Sequence, residues 1–371
     1  MLLQWAGGLA IAIWVYILLA RRAEWRPLRV PQLKSAPKVT VIVPARNEAA
    51  TVAAAIASLA AQEYPGEFHI ILVDDHSDDG TAACAQAAAP ADRLTVVRAV
   101  PLPQGWTGKL WALAEGVRHA RPLQPHYFLF TDADIVHPPR NLAALVARAQ
   151  AGDDSLVSYM ATLRCRSFAE RALVPAFVFF FFLLYPPRSI RNRHSRHAGA
   201  AGGCILLRRD ALEEIGGLES IRGDLIDDCA LAWQVKHKGG GVWLGLGPET
   251  RSIRDYGTFG EIGRMISRTA FTQLRYSALM LTGTLLAMTL VFLLPPALAF
   301  AAAQPARGLG ALAWLLMSLA YLPALLYYRR SPLWAPFLPL VAAFYAGCTV
   351  HSAVQHWRGA GGLWKGRVQQ R

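Results

Sequence analysis

Charge is scarce in this chain: Asp, Glu, Lys and Arg make up 17% of its 371 residues, and apolar types 54%. A soluble domain carries about 25% charged residues, so a wholly soluble enzyme does not fit. Acidic residues are the scarcer sign, 25 against 38 Lys and Arg, leaving a net charge of +13. Such an excess suits nucleic acid, an anionic membrane surface or anionic substrates. No basic helix with interleaved aromatics and no nucleic-acid module is present, which argues against nucleic acid as a partner. Cysteine is sparse as well. Cys84, Cys165, Cys204, Cys229 and Cys348 are odd in number, far apart and without a Cys-x-x-Cys pair. Neither a disulfide framework nor a zinc site is supported, and inert thiols in a reducing compartment are the plain reading. No Gly-x-Gly-x-x-Gly follows a strand pattern, which argues against a dinucleotide-binding oxidoreductase. No internal repeat is found.

The apolar excess sits at Met1–Ala20 and again from about Tyr276 onward. Residues 1–20 are uncharged and about as long as a bilayer crossing, which takes ~20 residues. Arg21, Arg22, Arg26 and Arg29 follow this run, whereas a cleaved secretory signal has its charge in front. The run therefore reads as an uncleaved anchor with its C-terminal side in the cytoplasm. Pro27, Pro31 and Pro37 mark residues 21–37 as a linker. Three later segments, about Ala278–Ala303, Leu309–Tyr328 and Leu333–Val354, make a membrane region over 276–354, followed by a basic tail over 355–371. Three full spans would put that tail outside, yet Arg358, Lys365, Arg367 and Arg371 favour the cytoplasm. One segment is then re-entrant or interfacial; Pro332, Pro336 and Pro339 weaken the last.

Residues 38–275 have a different texture. Val39–Val43, His69–Val73, Leu94–Ala99 and Tyr127–Phe130 read as strands, and Glu48–Gln62, Thr81–Ala89 and Leu110–Arg118 as helices. This alternation predicts a parallel, doubly wound α/β sheet with ligands at the strands' carboxyl ends. Within it, about 174–187 holds Phe179-Phe180-Phe181-Phe182 between prolines, too short to span comfortably. An interfacial segment is the first reading and a buried core helix the second. Arg188, Arg191, Arg193, His194, Arg196 and His197 follow, either to hold lipid head groups or a diphosphate, or as a solvated cationic loop.

Candidate chemistry falls at the strand ends. Pro44-Ala45-Arg46-Asn47-Glu48 opens a strand-to-helix turn suited to a nucleotide or phosphate, unless Asn47 and Glu48 merely cap the helix. Asp74 and Asp75 can accept from a base N–H or ribose hydroxyls, while Asp78-Asp79-Gly80-Thr81 looks like turn chemistry. Trp106-Thr107-Gly108-Lys109 sets an ammonium at a turn, where it can pair with a diphosphate. The strongest signal is Thr131-Asp132-Ala133-Asp134 after an apolar strand. Two anions so close cost free energy unless a cation compensates. Mg²⁺ or Mn²⁺ suits them, taking one or two carboxylates and completing its shell with water and phosphate oxygens. Asp227-Asp228 opens a further amphipathic stretch, as a cap or as a general base. Gly202-Gly203 is either a close-approach point or a simple turn. Arg264 and Arg268 share a helix face, to hold a leaving diphosphate or to flank the bilayer.

Together, and in this order from about Val39 to Arg275, these residues resemble the family 2 glycosyltransferases of the GT-A fold. The anchor, the Trp106–Lys109 segment and the C-terminal apolar runs are similar to hopanoid-biosynthesis-associated members. Ceramide- and carotenoid-glycosylating relatives are next. The resemblance implies a GT-A, Rossmann-like domain carried by N- and C-terminal transmembrane helices. It further implies that Pro44, Glu48 and Asp75 hold the nucleoside, Lys109 the base or diphosphate region, Asp132 the nucleotide and Asp134 the metal. Asp228 becomes the base. The pair reads Asp227-Asp228 where the family commonly has Glu-Asp. Gln273-Leu274-Arg275-Tyr276 is one residue short of the family's Gln-x-x-Arg-Trp and ends in tyrosine, so Arg268 is the candidate for the arginine's role.

The expected function is a metal-dependent, inverting transfer of a sugar from a nucleotide-sugar, UDP-linked in this reading, to a membrane lipid such as a hopanoid. The expected site is the bacterial-type inner (plasma) membrane, with a cytoplasmic catalytic domain. The rivals are a processive polysaccharide synthase and a non-catalytic nucleotide-sugar-binding membrane scaffold. The first would need a large spanning bundle, the second would show damaged acidic clusters.

Overall fold

Strand β1, Val39–Ala45, has all seven residues buried. It lies between β2 (Phe68–Asp74) and β4 (Tyr127–Thr131), parallel to both, and β3 (Leu94–Arg98) extends the parallel set. A strand covered on both faces needs apolar residues at successive positions, which Val39-Thr40-Val41-Ile42-Val43 nearly provides. Val41 and Val43 pack with Val52, Ile56 and Leu59 of the helix Val52–Ala60. Ile42 points the other way, against Gly116 of the helix Gly108–Ala120, where a Cβ would collide with it.

Beyond β4 the all-parallel expectation fails. The rest of the sheet comprises β5 (Ile135–Val136), β6 (Asp154–Thr162), β7 (Cys204–Arg208) and β8 (Gly241–Ser252). The order is β3-β2-β1-β4-β7-β6-β8-β5, with β7 antiparallel to both β4 and β6. The sheet is therefore mixed. The expected helix Glu48–Gln62 begins only at Val52, because Asn47 is left-handed at φ 52° and the Glu48 carbonyl accepts from Thr51 and Val52 in a turn. The helix expected to Ala89 ends at Gln86.

The computed structural model describes residues 1–25, 29–361, 363–364 and 367–368. Arg26, Pro27, Lys365 and Arg371, used above, lie outside them. The chain forms two units. One contains the sheet and comprises Pro27–Arg164, Tyr185–Asp255 and Leu363–Arg371. The other comprises Met1–Arg26, Cys165–Leu184 and Tyr256–Gly362.

The second unit holds four helical segments long and apolar enough to cross a membrane: Leu2–Ala20, Ala278–Ala301, Ala306–Tyr327 and Pro332–Trp357. The prolines of the last sit in a 3-10 turn, Pro332–Phe337, and in the first turn of the helix Leu338–Trp357, where a missing N–H costs little. Pro295 does remove a bond, the one its N–H would give Val291 O. The backbone there is a π turn, Thr289–Leu293, and the buried Trp14 supplies the donor, its Nε1 lying 3.0 Å from Val291 O. The phenylalanine run belongs to one helix, Phe168–Leu184, whose Phe179 contacts Tyr321 and whose Phe180 contacts Phe292 and Tyr345.

Candidate functional site

The site is built from the turns after β1, β2, β4 and β8, the starts of the helices Gly108–Ala120 and Asp227–His237, and the Gly202–Gly203 turn before β7. After β1, Asn47 and Glu48 do not cap the helix. The Asn47 N–H donates to Ser77 Oγ (2.9 Å) and its Oδ1 accepts from the Asp78 N–H (3.1 Å), while the Glu48 N–H donates to Thr81 Oγ1 (2.8 Å). These bonds join the β1 turn to the β2 turn. There Asp79 takes the structural part expected of it, accepting from the backbone of Ala49 and Thr81. Asp74 accepts from the Ser77 N–H. Asp75 is 1% exposed with Arg46 beside it, Nη1 lying 3.6 Å from its carboxylate and 2.5 Å from its carbonyl oxygen.

Lys109 is delivered by the helix Gly108–Ala120, which Thr107 caps by accepting from the Leu110 N–H. Its ammonium lies 2.9 Å from Asp132 Oδ1 and 3.2 Å from Asp227 Oδ2. Burial opposes its charge, but Asp132, Asp227 and Asp228 outweigh that and hold its pKa above the ordinary lysine value. Asp228 accepts from the Gly202 N–H (2.7 Å) and from its neighbour Cys229 (2.8 Å). Burial, then repulsion by Asp227, push its pKa up to about 6, against the pull of Lys109 and the two N–H groups. Gly202 earns its place here: a Cβ would lie 3.2 Å from both Asp228 Oδ2 and Lys109 Nζ. A small cleft runs past Pro44, Lys109, Asp132, Gly202, Asp227 and Asp228.

Asp134 is buried, and its Oδ2 accepts from Ser252 Oγ (2.8 Å) and Arg254 Nε (3.1 Å). The same guanidinium reaches Glu48 Oε1 at 2.5 Å. Arg254 thus ties the β1 turn to the Asp132–Asp134 turn. Burial raises the Asp134 pKa, Arg254 opposes the rise, and Asp132 adds to it.

Residues 40–216 match the family model described as glycosyl transferase family 2. Just under half of the chain is thus similar to the family 2 glycosyltransferases. It is 35% identical over 125 residues to an undecaprenyl-phosphate 4-deoxy-4-formamido-L-arabinose transferase of Pseudomonas aeruginosa (strain LESB58), covering 33% of this chain and 35% of that protein. A transferase of the same name from Shewanella sediminis is 32% identical over 120 residues, 32% of this chain and 35% of that one. The chain spans about a third of the length of the curated relatives it matches. Among solved structures it is similar to the mannosyltransferase PcManGT from Pyrobaculum calidifontis in complex with GDP-Man and Mn²⁺. The TM-score is 0.62 at 21% identity, over 96% of this chain and 99% of that one. The fold is GT-A, with helices long and apolar enough to cross a membrane before and after it in the chain.

Within residues 40–216, Asp132 and Asp134 are the candidate metal pair. No group of three or more His, Cys, Asp or Glu side chains suited to an ion occurs among the described residues. Mg²⁺ and Mn²⁺ need no such group where a diphosphate completes the shell. Lys109 bonds only Oδ1 of Asp132, and Ser252 and Arg254 only Oδ2 of Asp134. One oxygen of each carboxylate has no bond among the described residues, and the pair fits a divalent ion.

Arg268 belongs to the other unit, exposed at the C-cap of the helix Phe259–Ser267. Tyr276, at the departure from Gln-x-x-Arg-Trp, stacks on His356 and meets Phe271 edge-on. In the cationic loop, Arg193 donates to the carbonyls of Gly152 and Asp153, and Lys236 holds the loop through the carbonyls of Ile190, Asn192 and His197. Sequence reasoning missed Ser252 and Arg254. The signal was the strand-end rule itself, which also applies to β8, a strand not anticipated from the sequence.

Proposed function

We propose that the protein is a membrane glycosyltransferase that moves one sugar from a nucleotide-sugar to a hydroxyl on a membrane lipid, with inversion. The supporting observation is the cluster at Lys109, one ammonium between Asp132 on the donor side and Asp227 beside the candidate base Asp228. Pro44, Glu48, Asp74 and Asp75 hold the nucleoside, and Asp132 the nucleotide. Asp134 and Asp132 would hold Mg²⁺ or Mn²⁺, which when bound neutralises charge on the diphosphate. Lys109 stabilises the charge that develops on the leaving group, and Arg254 holds Glu48 and Asp134 in place for the donor. Asp228 removes the acceptor proton.

The acceptor class follows from that last role. The relatives' name speaks of undecaprenyl phosphate, whereas the sequence resemblance points to a hopanoid. A phosphate oxygen carries no proton to lose at neutral pH and would meet repulsion from Asp227 and Asp228. A hydroxyl needs a base, and a carboxyl at about 6 is close to the pH at which it must work. A lipid hydroxyl is therefore preferred. The donor is UDP-linked in this reading, and the catalytic domain faces the cytoplasm from the inner membrane. The intact acidic clusters speak against a retired scaffold.

The test is transfer by purified full-length protein from UDP-sugars to hopanoid and polyprenyl-phosphate acceptors, with and without Mn²⁺, read by lipid mass spectrometry. A hexose or amino-sugar mass on a lipid hydroxyl is expected. Transfer to the phosphate alone would overturn the acceptor, and full activity without metal or in Asp134→Ala would overturn the metal role.

A further inference from the structure

Behind the cluster runs a buried chain of polar side chains that the transfer as written does not use. Thr250 Oγ1 donates to Asn141 Oδ1 at 3.0 Å, and Asn141 Nδ2 lies 2.9 Å from His137 Nδ1. His137 Nε2 lies 2.9 Å from Thr131 Oγ1, which donates to the Gly203 carbonyl at 2.8 Å. All four side-chain owners are nearly inaccessible, His137 at 4% the most exposed.

With the Asn141 amide turned so that its nitrogen faces His137 and Cys204 and its oxygen faces Thr250, the directions of these bonds follow. A carbonyl only accepts, so the single hydroxyl proton of Thr131 points at Gly203, and His137 must donate to Thr131 from Nε2. Nδ1 is then bare and accepts from the Asn141 amide, whose Nδ2 also faces Cys204 Sγ at 3.7 Å while its oxygen faces Thr250. Reversing one member would set buried donor against donor. An imidazolium has no place in the chain, and burial alone holds the ring neutral, its pKa pushed down to about 3.

The two ends of the chain matter. Thr131 closes β4 immediately before Asp132 and pairs in register with Cys204, which opens β7. Gly203 follows Gly202, whose N–H holds Asp228. We infer that His137 is a positioning residue: its Nε2–H tautomer, acting through Thr131, locks the Asp132 turn to the Gly202–Gly203 turn against which Asp228 leans. The inference rests on the proposed reading of Asp132 as a donor-side group and Asp228 as the base. Spacing errors of well under 1 Å between such groups are enough to slow a transfer without loosening substrate binding.

The experiment compares full-length wild type with His137→Phe, His137→Gln, Thr131→Val and the double variant His137→Phe/Thr131→Val, with Asp228→Asn as reference. His137→Phe fills the space without a donor; kcat should fall about tenfold to a hundredfold while donor KM and UDP affinity stay within about threefold. Glutamine, whose amide nitrogen can donate to Thr131, should recover part of the loss. The double variant should lose no more than the worse single variant. Nitrogen-15 shifts of His137 should show the Nε2–H tautomer throughout the range where a free imidazole titrates. Wild-type kcat in both His137→Phe and Thr131→Val, or a fall no larger than the loss of folded protein, would overturn the inference. So would a ring that titrates. Should the wild type be no more active than Asp228→Asn, the functional reading has failed instead. The nitrogen shifts and the same variant cycle in thermal stability then decide whether the lock exists.

Discussion

At the Asp132–Asp134 turn each carboxylate meets a cation, Lys109 (shared with Asp227) on Asp132 and Arg254 (shared with Glu48) on Asp134. At the start of the helix Asp227–His237 the arrangement is unequal. Lys109 reaches Asp227, while Asp228 rests on two backbone N–H groups with Asp227 beside it. Burial raises the pKa of Asp134 as well as that of Asp228. Asp134, however, has a guanidinium in direct contact, whereas Asp228 is bonded to amides with the Lys109 ammonium and the Asp227 carboxylate acting from nearby. The two acidic pairs look alike in sequence, and on the proposed reading their partners separate them into a binding pair and a base with its companion.

That contrast breaks most completely at Asp228. Asp228→Asn keeps the shape and the bond from Gly202 but cannot take a proton, so kcat should fall by about 10³ with donor binding retained. Steady-state transfer beside UDP titration checks it; an equal loss of UDP binding would return Asp228 to the binding side. The same reading fixes a pH limb. Asp228 works unprotonated, so kcat/KM should rise with pH through about 6 and level off above it.

Lys109→Met should have the next largest effect, about 10² in kcat. It removes the cation that opposes the upward shift of Asp228, so the acid limb must move to higher pH. A limb that stays in place would mean that Lys109 does not set the base, whatever the fall in rate.

Arg254→Ala tests the binding side. It leaves Asp134 and Glu48, both buried, without their shared guanidinium. Loss of one partner of a buried ion pair costs about 3 kcal/mol, so the melting temperature should fall. Donor KM should rise about tenfold, with kcat less affected. A fall in kcat with unchanged KM would move Arg254 to the reacting end.

The sequence made the first four strands legible because β1, β2 and β4 are buried almost throughout and so read as plain apolar runs, while β3, at the sheet's edge, keeps the β-branched Thr95, Val96 and Val97. It also offered Lys109, Asp132 and Asp228 as candidates, of which only the Asp132–Asp134 pair lacked a packing reason, since Asp228 could cap a helix and Lys109 could be a solvated lysine. It did not show the antiparallel β7. Cys204–Arg208 is as apolar as its neighbours, and direction along a sheet leaves no mark on composition. Nor did it show Arg254, since one arginine after a strand says nothing until Glu48, 206 residues earlier, is seen to share it. The Glu48–Gln62 helix was drawn too long because its alanine-rich pattern runs on toward a turn whose polar groups bond to the β2 loop.

The smallest expected effect is at Gly202, where the contrast is steric. A methyl group there meets Asp228 Oδ2 on one side and Lys109 Nζ on the other, each at 3.2 Å. Lys109 has a long stem, but its ammonium is held by two carboxylates. Asp228 is short and held by the Gly202 N–H itself. Neither gives way freely, so Gly202→Ala should shift both by a few tenths of an ångström. A displacement of that size should cost about threefold to tenfold in kcat, with donor KM unchanged, since the displaced groups face the base more than the nucleotide. The acid limb discriminates. If the methyl group parts Asp228 from Lys109, the limb rises with the fall in rate, as in Lys109→Met but by less. If it stays at about 6 while the rate falls, the methyl group blocks the acceptor, and Gly202 is then a wall of the acceptor pocket and no longer the seat of the base.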